Sequence, residues 1–224
     1  MCFKVLFMSE LQQPSDSLQD VRDIRRLMER SSKFISLSGL SGVAAGVCAI
    51  IGAVIARYVI FNNYYIEYEQ RGAFGAGDFH NLKIQLLLLA AGVFIAAFLS
   101  AFYFTWRKSS KHGQSLLDST SRRLFWNMVI PLAAGTLYIL AMLKYDEWRF
   151  VAPASLVFYG LALVNASKYT LTDIRYLGYC EIILGLLCMQ WLGYGLYFWA
   201  IGFGVLHIIY GIVMWTKYER TPVA

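Results

Sequence analysis

Six runs of apolar residues constrain this chain more than any motif does, because each is long enough, or nearly so, to cross a bilayer as a helix. They cover residues 34–61, 84–106, 125–143, 150–166, 176–192 and 196–215. At about 1.5 Å of rise per residue, a helix of roughly 20 residues spans the ~30 Å hydrocarbon core. Lipid offers the backbone no hydrogen-bond partner, so such runs fold as helices that satisfy their own amides. The expectation is therefore an all-α polytopic integral membrane protein, a bundle of six transmembrane helices with short outer loops. Only 15% of the residues are charged and 58% are hydrophobic, whereas a soluble domain is nearer a quarter charged. Residues 1–33 read as a cytoplasmic N-terminal segment, 34–217 as the membrane domain and 218–224 as a cytoplasmic tail.

The last two runs contain the sharpest clue, since Glu181 and His207 are ionisable residues inside otherwise lipid-soluble stretches. Gly193-Tyr194-Gly195 between them reads as a tight turn, which predicts adjacent antiparallel helices. Each ionisable residue lies 13 positions from Tyr194, one before and one after, so both should sit roughly 19 Å below the turn. Gly178, Glu181, Gly185 and Cys188 share one helix face, and Ala200, Gly204, His207 and Gly211 share the other. Faces built of small residues let membrane helices approach closely. Their meeting would bring Glu181 and His207 into a hydrogen bond or ion pair that fixes register or responds to protons. Asn165, Tyr159 and Tyr210 are secondary polar candidates near this pair.

The first run carries small-residue ladders at Ser38, Gly42 and Gly46 and at Ala45, Ala49 and Ala53, so its helix should lie near the bundle centre. Arg57 near its far end can snorkel to the interface, with Glu67 and Glu69 as possible partners. Residues 62–83 read as a glycine-rich outer loop with interfacial tyrosines. Pro131 should kink the third helix within its first two turns, and Thr172 is a plausible cap for the fifth.

Before the first run, Leu18, Val21, Ile24 and Met28 line one face of a predicted helix. Arg22, Arg25, Arg26 and Arg30 make that helix basic, suiting it to an anionic lipid surface or to a cytoplasmic or membrane protein partner. Residues 1–8 are too short for the apolar core of a secretion signal, and Met8 opens a more conventional polar N-terminus than Met1. With the N-terminus inside, the inner segments hold fifteen of the arginines and lysines, whereas the outer ones hold Arg71, Lys83, Lys144 and Arg149. That bias predicts both termini in the cytoplasm. It also accounts for the net charge of +6 without nucleic acid. Size, tight loops and the lack of a targeting peptide suit a cytoplasmic (inner) membrane.

No catalytic, nucleotide-binding or metal-binding motif is present. The four cysteines are scattered without a C-x-x-C pair, and the three histidines are dispersed. No cofactor or metal is expected, and no enzyme. The residues point to a non-enzymatic partner or regulatory subunit, self-association through small-residue faces included. The rival reading is a small proton-coupled transporter or channel using Glu181 and His207.

Overall fold

The structure, a computed structural model, describes residues 38–63, 76–111 and 119–220. The predicted basic helix with Arg22, Arg25, Arg26 and Arg30, the acidic residues Glu67 and Glu69, His112 and the last four residues lie outside that set. Every element among the described residues is helical. Helix α1 spans Gly39–Ile55 and runs on through a π-helical turn, Ala56–Ile60. Then follow α2 (Ala76–Lys111), α3 (Ser119–Lys144), α4 (Val151–Ala166) and α5 (Ile174–Gln190). The last span comprises α6 (Gly195–Trp199), a second π-helical stretch, Ala200–Leu206, and α7 (His207–Tyr218). Five of these spans are long and apolar enough to cross a membrane. The remaining one, α5, has 17 residues, the short end of spanning length.

Burial runs opposite to that of a water-soluble core. The interior is made largely of small residues, among them Ala49, Ala53, Ala154, Ala162 and Ala166, while Phe94, Phe98 and Phe102 stack along the outside of α2. Hydrocarbon gives large apolar side chains no reason to turn inward, whereas close backbone approach rewards small ones. The α1 ladder packs in this way on the last span. A Cβ on Gly42 would lie 3.2 Å from the Cα of Gly211, and one on Gly46 would lie 2.7 Å from the carbonyl of Gly204. Between α4 and α5, a Cβ on Gly160 would meet the Gly178 carbonyl at 2.6 Å.

Here the structure corrects the predicted hairpin. The glycine face of α5 lies against Gly160, Val157 and Pro153 of α4, and the glycine face of the last span lies against α1. The glycines of the two faces do not meet each other, because each set found a partner helix that also offers small residues; of the two faces, Glu181 and His207 do approach. The link is not a bare glycine turn either, since Leu192–Tyr194 forms a 3-10 turn.

Two helices outrun their apolar sequence. α2 begins at Ala76, inside the predicted loop, and α3 begins at Ser119. Extending an existing helix fixes one residue per hydrogen bond gained, so polar flanks continue it cheaply. Pro131 thus falls in the helix interior rather than in its first two turns. The residue preceding α5 is Asp173 rather than Thr172, and it makes no side-chain cap. Its carboxylate instead accepts from Lys217 Nζ and the Tyr218 hydroxyl, each at 2.7 Å.

Candidate functional site: the Glu181–His207–Tyr159 cluster

The candidate site forms where α4, α5 and the last span converge. Glu181 projects from the middle of α5 and is completely buried. His207 opens α7 immediately after the π-helical stretch and is 7% exposed. The nearest approach of the pair is 3.5 Å, from His207 Nδ1 to Glu181 Oε1. Among the described residues, neither carboxyl oxygen of Glu181 has a hydrogen-bond partner.

The imidazole is occupied on both nitrogens. Nδ1 lies 3.0 Å from the carbonyl oxygen of Gly202, which can only accept, so Nδ1 carries a proton and donates it there. Nε2 lies 2.8 Å from the Tyr159 hydroxyl on α4. With a neutral ring, Tyr159 donates to Nε2; with a charged ring, Nε2 donates to Tyr159. The ring also stacks on Phe203 at 6.0 Å between centroids, and Phe203 in turn meets Trp199 at 5.2 Å.

Gly202 holds the cluster together in two ways. Its carbonyl accepts from His207, and its missing side chain leaves room for Glu181. A Cβ there would lie 2.5 Å from Glu181 Oε2 and 2.5 Å from Leu156 Cδ2. Leu184 Cδ2 stands 3.2 Å from the same position, so the carboxyl group has aliphatic neighbours. π-Helical turns inside α-helices often mark functional sites, and Gly202 sits within one.

The secondary candidates separate. Tyr159 belongs to the cluster. Asn165 does not: its Nδ2 donates to the Asn127 carbonyl at 2.9 Å and ties α4 to α3. Tyr210 packs on the apolar group of Leu163, Leu171, Ile174, Leu177 and Met214. Gly202, Phe203 and Trp199 were not singled out by the sequence, because nothing in their residue types tells them from ordinary span residues. Among the described residues, no three His, Cys, Asp or Glu side chains converge as a metal site would need.

Two further polar contacts hold the ends of the bundle. Glu219 Oε1 accepts from the Gly39 amide at 2.6 Å and from Lys108 Nζ at 3.2 Å, joining the last span to the start of α1 and the end of α2. At the opposite end Lys83 pairs with Asp146, whose left-handed backbone (φ 61°) makes the tight turn before α4. The Lys83 hydrogen bond and charge hold the Asp146 carboxyl below its usual range.

The chain matches no protein family, no curated protein and no solved structure.

Proposed function

We propose that the protein is a non-enzymatic regulatory or partner subunit of the cytoplasmic membrane, with both termini inside, whose working element is a proton shared by Glu181 and His207. The observation that carries this reading is a fully buried carboxyl group with neither oxygen hydrogen-bonded, 3.5 Å from an imidazole. An unpaired carboxylate among aliphatic side chains is costly, so a proton must stay within the pair. It can rest on Glu181 beside a neutral ring, or on His207 beside a carboxylate; because Nδ1 keeps its proton for Gly202, the ring gains or loses the second one at Nε2, on the Tyr159 side, and not directly across the 3.5 Å to Glu181. The net charge of the pair is the same in both arrangements. What differs is the direction of the Tyr159 hydrogen bond, so the proton's position is transmitted from α5 and α7 to α4.

A purely register-fixing contact would gain most from a hydrogen-bonded carboxylate, and Glu181 lacks one. None of Glu181, His207 and Tyr159 lines the cleft found elsewhere in the bundle. A closed site suits a switch better than continuous conduction. One feature favours the transporter reading: Trp199 lines the cleft, and its ring contacts Phe203, the ring stacked on His207.

Infrared spectra of wild type and variants in liposomes at one neutral pH, which read where the pair's proton rests, test the switch. A protonated-carboxyl band that disappears in Glu181→Gln and changes in Tyr159→Phe is the expected result. A spectrum unchanged by Glu181→Gln would sink the reading. Proton flux in the same liposomes decides between the alternatives: flux lost in Glu181→Gln supports a transporter, and its absence from folded wild type supports a subunit.

A further inference from the structure

At the end of the bundle away from Glu219, a cleft of about 600 Å³ opens between α1, α2, the start of α4 and the last span. Its walls are apolar, formed by Ala53, Ala56, Leu89, Val93, Leu196 and Trp199. Along α2 it reaches from Leu86 to Val93, a depth of roughly 10 Å. Two arginines, Arg57 from the π-helical turn of α1 and Arg149 from the 3-10 turn before α4, line the same cleft, and Arg149 Nη2 also lies 3.6 Å from the half-exposed Glu147 carboxylate, a contact that water screens. Arg57 Nε donates to the Tyr197 hydroxyl at 3.4 Å, which directs its side chain toward the last span. Trp148 and Tyr197, residues of the type that settle at headgroup level, also belong to the lining.

We propose that this cleft is a binding site for an anionic phospholipid, its phosphate held by Arg57 and Arg149 and the upper part of an acyl chain laid between α1, α2 and the last span. Charge complementarity selects the headgroup, since planar guanidinium groups bind phosphate oxygens through paired donors. The apolar depth selects an amphiphile over a free anion, because the walls below the arginines offer a wholly polar ligand nothing to replace its water. Access is lateral. Ala90 of α2, which lines the cleft, is exposed, so the cleft is open beside α2 and a lipid can enter from the bilayer without an aqueous route.

Retention of phosphatidylglycerol against phosphatidylcholine by the purified full chain, measured by native mass spectrometry from mixed micelles, tests the site. Wild type is expected to favour phosphatidylglycerol by at least about tenfold, given two arginines at the headgroup. Arg57→Gln with Arg149→Gln should bring the ratio to about one while phosphatidylcholine still binds. Ala90→Trp, which fills the groove from an exposed position, should reduce retention of both lipids. Equal retention of the two lipids by wild type overturns the proposal, as does a preference that survives loss of both arginines. Displacement of the lipid by inorganic phosphate alone would show a simple anion site and overturns it too.

Discussion

Gly202 carries two demands at once, a free carbonyl for His207 and an empty space for Glu181, and only a residue without a side chain meets both. Gly202→Ala would push a methyl into Glu181 Oε2 and Leu156, and overpacking of this kind costs about 1–3 kcal/mol. We expect lowered thermal stability together with loss or shift of the carboxyl band assigned to Glu181. Gly92, on the outer face of α2, has nothing within 4 Å of the place a Cβ would occupy, so Gly92→Ala should leave both properties unchanged. A Gly202→Ala protein with wild-type stability and spectrum would remove Gly202 from the site. At this scale the sequence was legible wherever chemistry contrasts with its surroundings. Glu181 and His207 stand out because an ionisable group in a lipid-soluble run demands an explanation. Gly202 does not, since glycine is common in spans and its role depends on which side chain happens to lie opposite.

Element existence was legible for the same reason, as every apolar run became a helix. Pairing was not. The sequence showed small-residue faces on α5 and on the last span but not which helices those faces would meet, and both α1 and α4 offered matching glycines. The π-helical stretch left no mark in the hydrophobic pattern either. Ends of elements were similarly opaque, because Glu219 and Asp173 read as ordinary flanking acids. Their contacts differ in worth. Lys108 and Glu219 are only 16% and 17% exposed, and Glu219 also accepts from the α1 amide. Glu219→Ala should lower the melting temperature by about 5 °C. Lys217 is 54% exposed, so water screens its pair with Asp173, and Asp173→Asn should cost about 1 °C. The pH dependence of the Asp173 effect has a definite sign. Its hydrogen bond from Lys217, ahead of the one from Tyr218, holds the folded carboxyl below its ordinary value. The contribution is therefore complete above the unfolded value and is lost as pH falls through the folded one. The difference between wild type and Asp173→Asn should stay constant from neutrality and shrink below about pH 4. A difference that grows on acidification would mean that Asp173 is held by something other than these donors.

For the molecule as a whole, the two ends of the bundle have different chemistry, and orientation in the membrane gives that difference a meaning. One end carries Glu219, Lys108, Asp173 and Lys217 in close contacts; the other carries the Lys83–Asp146 pair and, lining the cleft, Arg57 and Arg149. In the orientation proposed above, with both termini inside, the first end lies in the cytoplasm and the cleft should face lipid of the outer leaflet. Tyr145 is 71% exposed in the turn between α3 and α4, and Lys168 is exposed between α4 and α5. With the native cysteines replaced, Tyr145→Cys should react with a membrane-impermeant maleimide on intact cells, and Lys168→Cys only after lysis. The reverse pattern would place the cleft at the inner leaflet and the Glu219 contacts outside. It would leave the Glu181–His207 geometry untouched, because both residues lie in the middle of their spans. It would, however, turn the lipid site toward the leaflet where anionic headgroups are concentrated in many membranes, and so change which lipid pool the cleft samples.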